Sequence, residues 1–285
     1  MTDVPLKYQE AVNTYQVVDF EGFRLHPIKV RDYRAFSNAR PAIDFLQQSL
    51  PVRWLSVPLL SAYYGMEYEC YEKGEEPPGL FARALLFLAL ALDFMPELDE
   101  WERVRRLSEG ILVDGNDHGK LVGVVIGTGE DQKTLTPVIF QRMRPVLAAQ
   151  NGVRLESEDA NPELVEADRD IAEQNSENMD FDVSHLVTGV CALTGKDETE
   201  LMDWPILKLT RRSESIERIL GYLVCSFGEM SGAKFKGGSP FPSPFYPKTT
   251  RGSRALIDMN TFTNGQQVSV SENAPSGLTP GTNPS

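Results

Sequence analysis

Apolar residues along the 285-residue chain alternate between short β-prone runs and stretches with helical spacing. Two β-prone runs, 15–20 and 23–28, flank the turn dipeptide at 21–22 and predict a β-hairpin near the N-terminus. The runs 111–114 and 120–127 flank a polar turn and predict a second hairpin. The remaining regular patterns are helical. The sequence therefore predicts a mainly α fold of the α+β class, with a helical core, one or two small β-hairpins and a flexible C-terminal tail.

The helical stretches begin and end at residues that suit helix termini. Thr136 followed by Pro137 is a strong start, because threonine caps free N–H groups and proline fits the first turn. Gln150-Asn151-Gly152 is a good stop, since glycine adopts the left-handed conformation easily. The same reasoning predicts a short segment at 197–203 and helices over 31–49 (interrupted at Pro41), 52–66, 80–95, 137–150, 182–193 and 205–227.

The stretch 80–95 is apolar on nearly every side. It contains Arg83 and Asp93 and is shorter than the ~20 residues that span a bilayer. Such a helix is either buried in the core or covers a partner. In the first case its side chains need no further role. In the second it holds an amphipathic helix of another protein, and the candidate partner-binding residues are Phe81, Leu85, Leu86 and Leu90.

Charge divides the chain into predicted parts. The formal net charge is −13, and eleven acidic residues against one basic residue lie between Glu156 and Asp182. We expect an N-terminal hairpin and helical domain at 1–155, an acidic linker at 156–181 and a C-terminal helical part at 182–236. The two helical parts either fold separately or share one core. Residues 237–285 are rich in Pro, Gly and Ser, and their composition predicts a flexible tail.

Composition also limits the partners and the location. A strongly acidic chain repels phosphate backbones, so we expect no nucleic-acid partner. The N-terminus lacks a basic-then-apolar signal pattern, and we expect no membrane partner. Cys70, Cys191 and Cys225 lie far apart without metal or redox spacing, which indicates a reducing cytoplasm.

One glycine-rich stretch is a near miss of the phosphate-binding loop. Residues 127–134 read G-T-G-E-D-Q-K-T, with Gln132 where the pattern needs a glycine before the lysine. Two acidic residues also lie where phosphate charge would be. A turn is the favoured interpretation.

Metal and nucleophile patterns are equally incomplete. Residues 114–119 resemble the start of a calcium loop, but Val125 stands where a bidentate glutamate is needed. The histidines at 26, 118 and 185 have no second ligand at a suitable spacing. We therefore expect no catalytic residue, no metal and no cofactor, hence a non-enzymatic protein, with an unrecognised carboxylate site as the remaining enzymatic alternative.

Several motifs together resemble a known family. They are F-R-L-H-P-I-K-V-R-D-Y at 23–33, the L-L-x-x-Y-Y character of 57–66, T-P-x-x-F-x-x-x-R-x-x-x-x-x-Q-N-G at 136–152, N-P-E-L-x-E-A at 161–167 and the region from D-W-P to G-A-K-F-K at 203–236. This combination resembles the tail assembly chaperones of long-tailed bacteriophages and prophages. The resemblance covers residues 23–236 as scattered positions, and the chain departs from the family after Gly237.

The resemblance implies a function in the host bacterial cytoplasm. Such proteins are encoded between the tail-tube and tape-measure genes and coat the apolar tape-measure protein until tube subunits polymerise around it. The expected partners are the tape-measure protein, the tail-tube protein as a further candidate, and other copies of the chain on the partner. The alternative is a structural virion component, such as a tail or baseplate accessory subunit, which the extension after Gly237 favours.

Overall fold

Nine α-helices and two small antiparallel sheets make up the described part of the chain. The computed structural model describes residues 4–127, 129, 132–155, 167, 183–232, 234, 239–241 and 243–246. The chain divides into two units, 1–249 and 250–285, and the second lies outside the described residues. The predicted mainly α fold with two small β-hairpin sheets is confirmed.

The helices and strands follow one another in a simple order. The helices are α1 (Leu6–Asn13), α2 (Tyr33–Ala39), α3 (Leu59–Lys73), α4 (Leu80–Ala91), α5 (Glu100–Ser108), α6 (Pro137–Gln150), α7 (Val183–Thr194), α8 (Glu198–Met202) and α9 (Ile206–Met230). The strands are β1 (Val18–Phe20), β2 (Phe23–Leu25), β3 (Ile111–Asp114), β4 (Asp117–Ile126) and β5 (Lys133–Leu135). Short 3₁₀ turns lie at Val30–Asp32, Arg40–Ala42, Gln47–Ser49 and Val52–Trp54.

The first hairpin forms as the sequence predicts. Strands β1 and β2 pair antiparallel, and Asp19 and Gly22 close the turn with a 2.9 Å hydrogen bond from the glycine N–H to the aspartate Oδ1. Gly22 has φ +85°, which glycine adopts without strain. Alternate residues of both strands are buried.

The second sheet has one strand more than predicted. Strand β4 pairs antiparallel with β3 on one side and with β5 on the other. The sequence analysis missed β5 because it is three residues long and buries only Leu135. A run so short shows no alternation of apolar and polar positions.

Several predicted helices differ in their bounds: α4 ends at Ala91 rather than at 95, and α9 continues to Met230 rather than to 227. The predicted helix over 31–49 ends as α2 at Ala39, and a 3₁₀ turn containing Pro41 follows. The predicted helix over 52–66 begins later, after Pro58, and continues to Lys73. Gly74, with φ +69°, ends it in the left-handed conformation.

Helix α5 was not predicted. Its sequence is mostly charged, so the apolar spacing is weak, and it buries Leu107 alone. Its start is clear in the structure, because the Asp99 side chain accepts hydrogen bonds from the N–H groups of Trp101 and Glu102, both at 3.0 Å. A capping residue and tertiary packing thus stabilise a helix that periodicity does not reveal.

The N-terminal and C-terminal helical parts share one hydrophobic core. Val187, Val190 and Leu201 belong to the same buried cluster as the residues of α2, α3, α4 and α6. Backbone hydrogen bonds also join the two parts, from Val30 N–H to the Trp204 carbonyl and from Ile206 N–H to the Ile28 carbonyl, each 2.9 Å. Of the two arrangements that the sequence left open, the shared core is the one observed. The predicted acidic linker lies outside the described residues except Ala167, as does most of the predicted tail.

Buried polar side chains tie α6 to the rest of this core. The Gln150 amide donates to the carbonyls of Gln16 and Leu25, both at 3.0 Å. The Arg144 guanidinium donates through Nε to the Ile43 carbonyl at 2.7 Å. Both side chains are at least nine-tenths buried. The buried polar residues of α6 therefore connect this helix to the backbone of the N-terminal segments by hydrogen bonds.

Candidate partner-binding surface

Helix α4 lies inside the core rather than on the surface. Helices α2, α3 and α5 pack around it. The four candidate partner-binding residues keep small exposed fractions: Phe81 5%, Leu85 2%, Leu86 6% and Leu90 6%. Their burial corrects the prediction of an open apolar face, because a helix that is apolar all round gains most by packing on every side. A partner helix cannot lie along α4 in this fold.

The exposed part of α4 is its N-terminal turn. Ala82 is half-buried and Arg83 is exposed, whereas the rest of the helix is buried. Two open pockets flank this turn, and Ala82 and Val104 form the wall between them. Three of the four candidate residues line these pockets: Phe81 and Leu85 line one pocket, and Leu86 lines the other.

The first of these, the tyrosine pocket, lies between α3, α4 and α5. Its volume is about 300 Å³, and three tyrosines of α3, at 64, 68 and 71, line one side. Tyr64 stacks on Tyr68 with ring centroids 6.3 Å apart and meets Phe81 edge-on at 5.2 Å. Tyr71 is 79% exposed at the rim. Tyrosine spacing of i, i+4 and i+7 places all three rings on one face of the helix.

The second, the tryptophan pocket, lies between α2, α4 and α5. It encloses about 400 Å³ and is lined by Pro41, Leu86 and Trp101 together with polar groups of Ser37, Asn38, Arg83 and Glu100. The Trp101 side chain is 75% exposed. An exposed tryptophan beside an apolar pocket is typical of a protein-binding surface.

A carboxylate holds the shared wall in place. Glu67 on α3 accepts a 2.7 Å hydrogen bond from the Phe81 N–H, at the otherwise unpaired start of α4. Burial raises the pKa of the Glu67 carboxyl, while hydrogen bonds from the Phe81 and Ala82 N–H groups oppose the rise. Glu67 is therefore explained by its role at the helix terminus, and it needs no catalytic role.

A further pocket of about 560 Å³ lies between α1, the end of α6 and the start of α9. Its lining is apolar apart from Gln9, Asn13, Arg154 and Arg211. Arg211 donates to Asn13 Oδ1 at 3.3 Å and lies 5.6 Å from the Tyr15 ring. The Arg211 guanidinium is therefore engaged by protein partners.

The calcium-loop motif at 114–119 forms the β3–β4 turn and the start of β4 in the structure. Asp114 Oδ1 accepts from the Asn116 N–H at 3.0 Å, which closes the β3–β4 turn and, with Lys120, lowers the pKa of Asp114. Lys133, the lysine of the near-miss phosphate loop, donates instead to the Gly22 carbonyl at 2.7 Å. Thr128, Glu130 and Asp131 of that loop lie outside the described residues.

The described residues contain no group of three His, Cys, Asp or Glu side chains that is placed to hold a metal ion. None of the described helices combines the length and apolar character that crossing a membrane requires.

Comparison of the chain with protein-family models, with curated proteins and with solved structures finds no match. The pockets beside α4 and the sequence pattern are thus the basis for any functional proposal. The sequence analysis identified Phe81, Leu85 and Leu86, which line these pockets, but it missed Trp101 and the three tyrosines. The spacing of the tyrosines on α3 was a signal that could have revealed the tyrosine pocket.

Proposed function

We propose that the protein is a non-enzymatic tail assembly chaperone of a long-tailed phage or prophage. It binds the tape-measure protein and keeps it soluble in the host cytoplasm until the tail tube polymerises. The resemblance of residues 23–236 to that family supplies the class of function. The observation that carries the binding role is the pair of adjoining apolar pockets with Tyr71 and Trp101 exposed at their rims.

The pockets suit the apolar side chains of a helical partner. An amphipathic helix inserts residues spaced by three, four or seven positions into a surface of this kind. Tyrosine and tryptophan supply large contact areas at low entropic cost, which makes them frequent hot spots. The two pockets share one wall, so neighbouring apolar residues of a single helix can occupy both.

The charge of the chain fits the same role. A tape-measure protein exposes long apolar stripes that aggregate in water. A bound protein with net charge −13 covers these stripes and adds repulsion between complexes. Tube subunits must later displace the coat, which favours many weak contacts over one strong contact.

Co-expression with the neighbouring tape-measure protein tests the proposal. The soluble fraction of the tape-measure protein should rise several-fold in the presence of the chain, and the two should copurify. Unchanged solubility together with no copurification would refute the chaperone role.

Substitutions in the pockets test the binding surface. Trp101→Ala and Tyr71→Ala should each weaken binding about tenfold or more, since hot-spot truncation costs more than about 1.4 kcal/mol. Both side chains are largely exposed, so circular dichroism should not change. Val138→Ala, at another exposed apolar position, is the matched control. Equal binding by all three variants would place the partner elsewhere on the molecule.

The second candidate is a structural virion component. The extension after Gly237 favours it, and Phe245 and Tyr246 are 76% and 75% exposed there. Mass spectrometry of purified virions separates the two, because a chaperone leaves the assembled tail and an accessory subunit stays. Detection at a stoichiometric level in virions would favour the structural role.

A further inference from the structure

Residues 219–230 of α9 expose an apolar face that the described part of the chain leaves open. Exposed fractions range from 42% at Ile219 to 84% at Met230, and the face consists of Ile219, Leu220, Leu223, Val224, Phe227 and Met230. At about 170 Å² for a fully exposed apolar side chain, these fractions amount to roughly 600 Å². Soluble monomers rarely expose contiguous apolar patches of that size without a use for them.

The spacing along this face is that of a coiled coil. Ile216, Leu220, Leu223, Phe227 and Met230 follow one another at intervals of four, three, four and three residues. These are alternating d and a positions of a heptad repeat. The same register extends back to Ile206 and Leu209, which are buried in the core of the protein. The seam thus leaves the core near the partly buried Ile216 and continues into solvent.

The opposite side of the helix is already occupied. The Phe241 ring lies against Gly221 so closely that a Cβ atom there would approach it to 2.7 Å. Arg218 donates to the Phe245 carbonyl at 3.4 Å, and Cys225 is buried. The described residues 239–241 and 243–246 therefore contact the back of α9, and the heptad seam is the face that the described part of the chain leaves open.

We propose that this seam pairs with the same seam of a second copy of the chain, as a parallel two-stranded coiled coil. Two faces of roughly 600 Å² bury about 1,200 Å² in total, which reaches the lower limit for stable protein interfaces. A seam on one helix is also self-complementary, as an interface with two-fold symmetry requires.

The residues beside the seam specify the parallel orientation. In a parallel pair, each g position meets the e position five residues further along the other helix. The three such pairs here are Arg212 with Glu217, Ile219 with Val224, and Ser226 with Ser231. The first pair is oppositely charged, the second is apolar and the third is small and polar. Each side chain therefore meets a compatible side chain of the other helix. An antiparallel pair would not bring Arg212 to Glu217.

The mass of the purified full-length protein tests the pairing without reference to any phage partner. Sedimentation equilibrium should give twice the 31.8 kDa of one chain. Leu223→Asp and Phe227→Asp, at exposed positions that leave circular dichroism unchanged, should each weaken association about 100-fold or more. Val52→Asp, at an 85% exposed apolar position in a 3₁₀ turn, should leave the dimer intact. A monomeric wild-type protein, or a dimer insensitive to both seam variants, would overturn the proposal.

A charge exchange tests the parallel register. Arg212→Glu and Glu217→Arg should each weaken the dimer about threefold to tenfold, and the double variant should recover the wild-type affinity. Failure of the double variant to recover would overturn the parallel orientation. These measurements use the isolated chain, so their outcome is independent of tape-measure binding.

Discussion

The backbone N–H of Ile28 donates a 2.8 Å hydrogen bond to the side-chain oxygen of Asn151, which lies 123 residues further along the chain. The same amide group donates through Nδ2 to the Leu147 carbonyl at 2.9 Å. Asn151 is 2% exposed, so it bridges the segment that follows β2 and the end of α6 inside the core. This bond links two of the motifs on which the family resemblance rests, 23–33 and 136–152.

Asn151→Ala should lower the free energy of unfolding by about 2–3 kcal/mol, because it leaves the Ile28 N–H buried without its acceptor. Urea denaturation at neutral pH measures the change. Asn38→Ala, on the exposed side of α2, is the matched control and should stay within about 0.5 kcal/mol of wild type. Equal effects of the two substitutions would show that the Ile28–Asn151 bond contributes nothing particular.

Leu86→Asp and Leu90→Asp should unfold the protein rather than merely abolish partner binding. Both residues are 6% exposed, and a buried unpaired carboxylate costs several kcal/mol. Circular dichroism of the double variant should therefore lose helical signal. Retained helical signal with lost partner binding would restore α4 as an open binding face.

Glu67→Gln should change how stability depends on pH. Burial raises the pKa of Glu67 in the folded state, so the folded protein holds this proton to higher pH than the unfolded chain does. The contribution of Glu67 to stability therefore falls as pH rises from about 4.5 through the raised folded value. Glutamine keeps an acceptor for the Phe81 N–H without the charge, so the variant should gain stability relative to wild type across that interval.

Urea denaturation at several pH values between 4 and 7 measures the Glu67 effect. Glu76→Gln, in the exposed loop before α4, is the control. If the free energy of unfolding of Glu67→Gln ran parallel to that of wild type across this pH range, the Glu67 carboxyl would have the same pKa in the folded and unfolded states. Glu67→Ala, which removes the acceptor, should cost about 1 kcal/mol at neutral pH.

His26→Gln should reduce the loss of stability in mild acid. Burial lowers the pKa of His26, with help from Arg24 and Lys29, although Asp93 opposes the shift. A base with a depressed folded pKa is neutral in the folded state while the unfolded chain already binds a proton. Wild-type stability should thus decline as pH falls from 6.5 through the lowered folded value, and the variant should decline less.

Thermal denaturation between pH 7.5 and 5 compares the histidine variants. His118→Gln, at the exposed start of β4, provides the matched control. If His118→Gln flattened the acid decline as much as His26→Gln, the effect could not be assigned to the environment of His26.

Local sequence patterns determined much of the secondary structure. The turn dipeptide at 21–22 and the Thr136-Pro137 start act through backbone conformation and capping within a few residues, so the first hairpin and α6 could be predicted. The apolar character of α4 was also apparent, because it depends on composition alone. The same patterns could not find β5 or α5, whose short or highly charged sequences are stabilised by pairing with β4 and by packing against α4.

The tertiary structure alone decided which apolar surface is open. Burial of Leu86 and exposure of Leu223 depend on which helices pack around each residue, and both are leucines in apolar helical contexts. Burying an apolar side chain is favourable in free energy whether the covering residues belong to the same chain or to another. Hydrophobicity alone therefore does not determine which of the two covers it. For this protein the fold encloses α4 in its own core, whereas the described part of the chain leaves the seam of α9 exposed.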